Sequence, residues 1–240
     1  DEEEEEEEVG IPSMMTGPDI NALLSENFPG ATDLRPSAAP PPEGSAVVLL
    51  SDAASPVAVV AWLEGMDILY YAAGYTDRGR KIPLNANAQG MFQLMTSLTV
   101  ADLSGFDTSD VTDMSYLFSS CMFLSTVAGL EDLDTGRVTS MKMMFNGCSD
   151  LASLDLSGFD TARVEDMGYM FSGCGNLVTI WASASFVTTS VSEGGDMFSG
   201  CTSLVGTGGG SSTAYSDGNA NDESYARISG TGGPGYFTAR

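Results

Sequence analysis

A phenylalanine–cysteine–leucine signature recurs along this chain and constrains its fold more than any other feature. Phe118, Phe145, Phe171 and Phe198 each stand three residues before a cysteine: Cys121, Cys148, Cys174 and Cys201. Three residues further on come Leu124, Leu151, Leu177 and Leu204. A weaker first copy has Phe92, with Met95 in the cysteine slot and Leu98 in the leucine slot. The phenylalanines are spaced 26, 27, 26 and 27 residues apart. Self-similarity at a period of roughly 20–50 residues is the mark of stacked units, each too small to bury its apolar face alone.

Within the period, Leu151-x-x-Leu154-x-Leu156 alternates as a strand with one inward face, and it matches the opening of a leucine-rich repeat. A second apolar set follows: Val111 and Met114, Val138 and Met141, Val164 and Met167, then Val191. At about 1.5–3 kcal/mol per fully buried side chain, these residues dominate the stability. The expected architecture is a β-rich α/β solenoid: a right-handed leucine-rich-repeat-type stack of about four to five turns of 26–27 residues, with a capping unit at each end.

Asp107, Asp134 and Asp160 align in one column, where the fourth copy has Val187. Thr108, Thr135, Thr161 and Thr188 align beside them. Asp-Thr after a corner is turn chemistry, because both side chains bond nearby backbone amides. The alternative is a calcium-binding column, since stacked carboxylates repel unless neutralised. The four cysteines share one register, so they line up on neighbouring turns about 4.8 Å apart. Parallel Cβ vectors disfavour disulfides and leave buried thiols acting as small apolar residues. Met91, Met95, Met114, Met122, Met141, Met143, Met144, Met167, Met170 and Met197 fall mostly at fixed positions and read as core packing.

The chain has 33 acids, 9 bases and no histidine, for a net charge of −24. Such a surface repels nucleic acid and anionic lipid, which are discounted as partners. Without histidine the commonest general base and Ser-His or Cys-His nucleophiles are excluded. The aligned carboxylates occupy repeated environments, whereas acid–base catalysis needs two with different pKa values. No run of 18 apolar residues exists, so no membrane insertion is expected. No cofactor is expected. Asp217 to Glu223 opens like a calcium loop, but has Asp222 at the sixth position and Ile228 at the twelfth, so it reads as a polar turn.

Four regions follow. Residues 1–45 hold an acidic run, a short helix capped by Thr16 with Ile20, Leu23, Leu24 and Phe28 on one face, and a proline-rich linker. Residues 46–90 form an amino-terminal β cap, with a hairpin around Glu64-Gly65-Met66 and with Trp62, Tyr70 and Tyr71 covering the first repeat. Residues 91–205 are the repeats. Residues 206–240 are a Gly/Ser loop and a closing cap with Tyr225, Ile228, Tyr236 and Phe237 as apolar contacts.

Leu154-Asp155-Leu156-Ser157-Gly158-Phe159-Asp160-Thr161, Val164, Asp166-Met167 and Tyr169-Met170-Phe171-Ser172-Gly173-Cys174 carry a resemblance to the BspA-like leucine-rich-repeat surface proteins of bacteria. Thr108 to Tyr116 is a second close match, and the segments Met197–Gly206, Tyr225–Ile228 and Pro234–Thr238 resemble the block that ends these arrays. Two departures are the missing cysteine of the first copy and Trp181-Ala182-Ser183-Ala184 in place of Asp-Leu-Ser-Gly in the fourth. The resemblance implies a non-catalytic bacterial protein, secreted or at the cell surface, that adheres to an extracellular protein or glycan on host or neighbouring cells. The alternatives are a structural spacer displaying another module and a calcium-dependent adhesive module. Exposed aromatics gathered on one face distinguish a binder from a spacer.

Overall fold

The computed structural model describes residues 10–208, 211–214, 224, 226 and 236–239. Helix α1 (Gly17–Asn27) follows Thr16, which stays extended at ψ 158° while its Oγ1 donates to the Asp19 carboxylate at 2.5 Å. Its buried face is Ile20 and Leu24, continued by Phe28 beyond the last turn. The amide of Gly17 donates to Asn87 O at 2.7 Å, which docks the helix start against the entry to the first copy.

Six strands make the largest sheet, in the order β2-β3-β4-β1-β6-β8. Strands β3 (Val59–Glu64) and β4 (Asp67–Ala72) are an antiparallel hairpin turning at Gly65, whose φ is +65°, and β2 (Val47–Leu49) pairs with the outer side of β3. Strand β1 (Asp33–Pro36) lies parallel between β4 and β6 (Val100–Asp102), and β8 (Thr126–Ala128) adds to β6 in the same sense. The proline-rich stretch after Pro36 is therefore a loop joining two strands of one sheet. Strands β5 (Ile82–Pro83) and β7 (Phe106–Asp107) form a short parallel pair. Strands β9 (Ser153–Leu156), β10 (Thr179–Ala182) and β13 (Phe237–Ala239) form a separate parallel sheet with β10 at its centre. The hairpin of β11 (Val205–Gly208) and β12 (Ser211–Ala214) is antiparallel.

This arrangement corrects the expected leucine-rich-repeat solenoid: the fold is dominated by mixed and parallel sheets, with one α-helix among the described residues. The strands sort into four sheets instead of one continuous ladder, and the helix precedes the recurring segments. Two physical reasons are visible. Each copy turns through left-handed backbone twice, two residues before and two after its phenylalanine, which no helix can accommodate. The first position holds Gly90, Tyr116, Met143, Tyr169 and Asp196; the second holds Leu94, Ser120, Gly147, Gly173 and Gly200, all with φ between 52° and 79°. Between β8 and β9 the chain detours through Gly129, with φ +73°, and a 3-10 turn at Leu130–Asp132. The Glu131 carbonyl then presses on the next copy so closely that a Cβ at Gly158 would lie 1.8 Å from it. The strand ladder breaks there.

The recurrence survives as columns of side chains and as backbone bonds at a fixed offset, with Tyr116 N donating to Lys142 O at 2.8 Å, Met143 N to Gly168 O at 2.9 Å and Tyr169 N to Gly195 O at 3.1 Å. The rings of Phe92, Phe118, Phe145, Phe171 and Phe198 stack with centroids 5.3, 5.8, 6.0 and 5.5 Å apart. Single parallel bridges join Asn87, Asp113, Ser140, Asp166 and Glu193 in turn. At one end Tyr70 stacks on Phe106 at 4.4 Å, while Tyr71, on the opposite face of β4, lines an outer groove with Pro41 and Arg78. Trp62 is buried outside the main core cluster. At the other end Phe237 meets Phe198 edge-on at 6.1 Å and Tyr236 is fully buried; Tyr225 and Ile228 lie outside the described residues.

Candidate functional site

The aspartates sit on the outer corner of successive copies, and Thr108, Thr135 and Thr161 are buried beside them. Oδ1 of Asp107, Asp134 and Asp160 accepts the amide two residues on, from Ser109, Gly136 and Ala162, each at 3.0 Å. The threonines act between copies: Thr108 Oγ1 donates to Asp134 O at 2.9 Å, Thr135 to Asp160 O at 2.9 Å and Thr161 to Val187 O at 2.6 Å. Thr135 and Thr161 also accept the amides of Asp160 and Val187 at 2.8 and 2.7 Å. Among the described residues no group of three or more Cys, Asp or Glu side chains converges as a metal cage. The loop from Asp217 to Glu223 lies outside them.

Cys121, Cys148, Cys174 and Cys201 are buried free thiols packed beside the phenylalanine column. Their Sγ atoms donate to the carbonyls of Phe92, Phe118, Phe145 and Phe171 at 2.9–3.1 Å. Burial pushes Cys121 and Cys201 up to about 12, against a weaker opposite pull from the backbone amides of Met95 and Cys174. Cys148 and Cys174 are raised by burial and by neighbouring thiols. Thiolate, the reactive form, is suppressed. These columns hold the structure together and present no reactive group.

A second carboxylate column went unnoticed in the sequence. Asp113 and Asp166 accept the amides of Ser115 and Gly168 at 2.8 and 2.9 Å, and Lys142 Nζ reaches Asp166 at 3.3 Å. That contact raises the Lys142 pKa.

The exposed apolar residues are more informative. Leu94, Met122 and Phe123 are 63, 42 and 53% exposed, so Met122 is a surface residue and not one of the core methionines. In the other copies the Leu94 slot holds Ser120, Gly147, Gly173 and Gly200; the Met122 slot holds Thr96, Ser149, Gly175 and Thr202; the Phe123 slot holds Ser97, Asp150, Asn176 and Ser203. Three apolar exceptions thus occupy otherwise polar or glycine columns, and copy-to-copy comparison could have found them.

The register gathers them at one end of the large sheet. Asp67, Asp33, Val100 and Thr126 are aligned across the parallel strands β4, β1, β6 and β8. The residues just ahead are Met66, 51% exposed, and Thr32, Thr99 and Ser125, with Phe123 two residues before Ser125. Thr32 N donates to Met66 O at 2.9 Å, and Ser125 N to Thr99 O at 2.9 Å. Beside this edge a cavity of about 210 Å³ is lined by Phe28, Pro29, Ala31, Leu94, Met95 and Ser97, among others. The result is an apolar strip with a recess, bordered by the polar residues Ser25, Thr96 and Ser97 and by Asp150, whose amide donates to Met122 O at 3.2 Å. Apolar surface clustered inside a polar rim marks interaction sites on soluble proteins.

Compared with known proteins, residues 86–207, just over half of the chain, match the family described as "Mycoplasma protein of unknown function, DUF285". No curated protein and no solved structure matches.

Proposed function

The chain belongs to the DUF285 family, and from that premise we propose that it is a non-catalytic binding module whose apolar strip contacts a protein. The observation that carries this reading is the gathering of Leu94, Met122, Phe123 and Met66 at the amino ends of four parallel strands. A spacer gains nothing from apolar side chains in columns that are otherwise polar. The rigid columns beneath hold the strip in one shape, so little entropy is lost when a partner docks. The resemblance of the repeat residues to BspA-like surface proteins supports an extracellular protein on a host or neighbouring cell as the partner, and a secreted or surface location. The Asx turns occupy one oxygen of each corner aspartate, which favours calcium-independent contact.

The test is binding of the full chain to immobilised extracellular-matrix proteins, with calcium and again with a chelator. Saturable binding that survives the chelator, and that Phe123→Ser with Met122→Thr weakens at least tenfold without moving the melting temperature, is the expected result. Binding indifferent to both substitutions would remove the strip as the site. No binding at all would favour the spacer.

A further inference from the structure

Arg78, Arg80 and Lys81 bring three of the chain's nine bases into four residues. They lie far from the apolar strip, at the other end of β4, where the 3-10 turn Thr76–Arg78 leads into β5. Arg35, Arg137 and Lys142 each pair with a carboxylate, whereas among the described residues none of these three does. Lys81 Nζ donates to the Asp132 carbonyl at 3.5 Å. In a chain of net charge −24, three neighbouring cations with no ion pair among the described residues run against the general trend.

Arg80 and Lys81 form one wall of a cleft of about 280 Å³ between two firm corners. One corner is Pro36, Ser37 and Ala38 after β1, and the other is Ser104 and Gly105 before β7. The cationic wall is fixed by backbone bonds: Arg80 N to Tyr75 O at 2.8 Å and Ile82 N to Gly105 O at 2.7 Å. Gly79 turns between them at φ +67°. Ser37 Oγ is already committed to Ala39 O at 2.7 Å, and on the facing corner the Ser104 amide donates to the Asp102 carboxylate at 2.9 Å, so Arg80 and Lys81 are the groups that face an anion.

We propose that this cleft binds the carboxylate or sulfate of an acidic saccharide. A guanidinium offers a planar fork that fits either oxyanion through two parallel hydrogen bonds, and the ammonium beside it adds a mobile point charge. The cleft's volume of about 280 Å³ takes one sugar unit and its anionic group. The site is independent of the apolar strip and of the reading built on it.

The test is calorimetric titration of the full chain with three disaccharides of equal size: sulfated, uronic-acid-bearing and neutral. An octaglutamate peptide forms a fourth arm. The expected outcome is saturable binding of one or both acidic sugars. Arg80→Ala with Lys81→Ala should weaken it at least tenfold, while Arg163→Ala, an exposed cation elsewhere, leaves it unchanged. Stronger affinity for the sulfated or for the uronic sugar identifies which oxyanion the cleft prefers. Equal binding of the neutral sugar, no binding of any sugar, tighter binding of octaglutamate, or indifference to the double substitution would each overturn the proposal. Phe123→Ser serves as the separating control, since it bears on the apolar strip alone.

Discussion

The hairpin region before residue 90 and the recurring region after it solve the same problem by different means. In the first, β3 and β4 are paired over six residues each, and long backbone ladders set the geometry. In the second, strands last two to four residues, and the copies meet through backbone bonds made outside the strands, such as Phe118 N to Met144 O and Phe145 N to Met170 O, both at 2.9 Å, reinforced by a column of rings, a column of thiols and threonine hydroxyls bridging to the next copy. Where strands are short, the backbone bonds are made from turn to turn, and the stacked side chains at each register position add to them. Substitutions there should be felt more sharply than in the hairpin.

Phe145→Ala breaks this contrast most directly. The ring is fully buried, with neighbours at 5.8 and 6.0 Å on either side, and its loss should remove about 3–5 kcal/mol in a denaturant titration. Tyr71→Ala, on the outer groove of the hairpin, should remove much less. Equal effects would mean that the columns are no more critical than the sheet.

Thr161→Val comes next. The hydroxyl is buried and both accepts from and donates to Val187, so an isosteric methyl strands two backbone groups, at about 1–3 kcal/mol. A stability within a few tenths of wild type would mean that the corner is held by packing alone.

Alkali should reveal the same asymmetry, because the hairpin region has no cysteine. The folded thiols titrate above their ordinary value of 9.0, with Cys121 and Cys201 near 12, so the folded state keeps protons that the unfolded chain releases. Their contribution is complete below pH about 9 and falls away as pH rises toward 12. Burial shifts Tyr70 in the same direction, but from an ordinary value of 10.0, so the first loss belongs to the thiols. Unfolding free energies at pH 8, 9 and 10 should therefore decline in the wild type and decline less in Cys121→Ala.

The smallest effect lies in the backbone. Ser120 holds a φ of +64° at a position where Gly147, Gly173 and Gly200 sit in later copies. Ser120→Gly should stabilise by about 0.5–1 kcal/mol, the left-handed strain outweighing the added freedom of the unfolded chain. A rise in melting temperature checks it, and a fall would show that Ser120 makes contacts worth more than its strain.

Much of this was legible in the sequence because it is local or periodic. Phe118, Cys121 and Leu124 mark buried columns by spacing alone, and Pro18 in the first turn with Ile20, Leu24 and Phe28 on one face marks a helix, although Thr16 spends its hydroxyl on Asp19 and caps no amide. The global architecture was not legible. Leu151-x-x-Leu154-x-Leu156 specifies a strand with an inward face, but says nothing of what fills the rest of the period, and that rest decides between helix and turns. Left-handed backbone at Tyr116, Met143 and Tyr169 is hidden because these residue types do not announce it. The placement of β1 between β4 and β6 is a contact between distant segments, and no local pattern encodes it. The candidate strip escaped for a different reason: an exposed phenylalanine looks like a core residue until its slot is compared across copies.

The last strand of the structure carries a mechanical consequence. Strand β13 runs parallel to β10, and its first residue, Phe237, is wedged edge-on among Phe171, Phe186 and Phe198. Tension applied through residues that follow β13 acts along the strand and across its hydrogen bonds. Those bonds then resist together in shear, instead of opening one at a time as in a zipper, and the wedged ring must be dragged from its socket as they yield. Pulling through the carboxyl-terminal side should meet a high rupture force at β13 before any copy unravels.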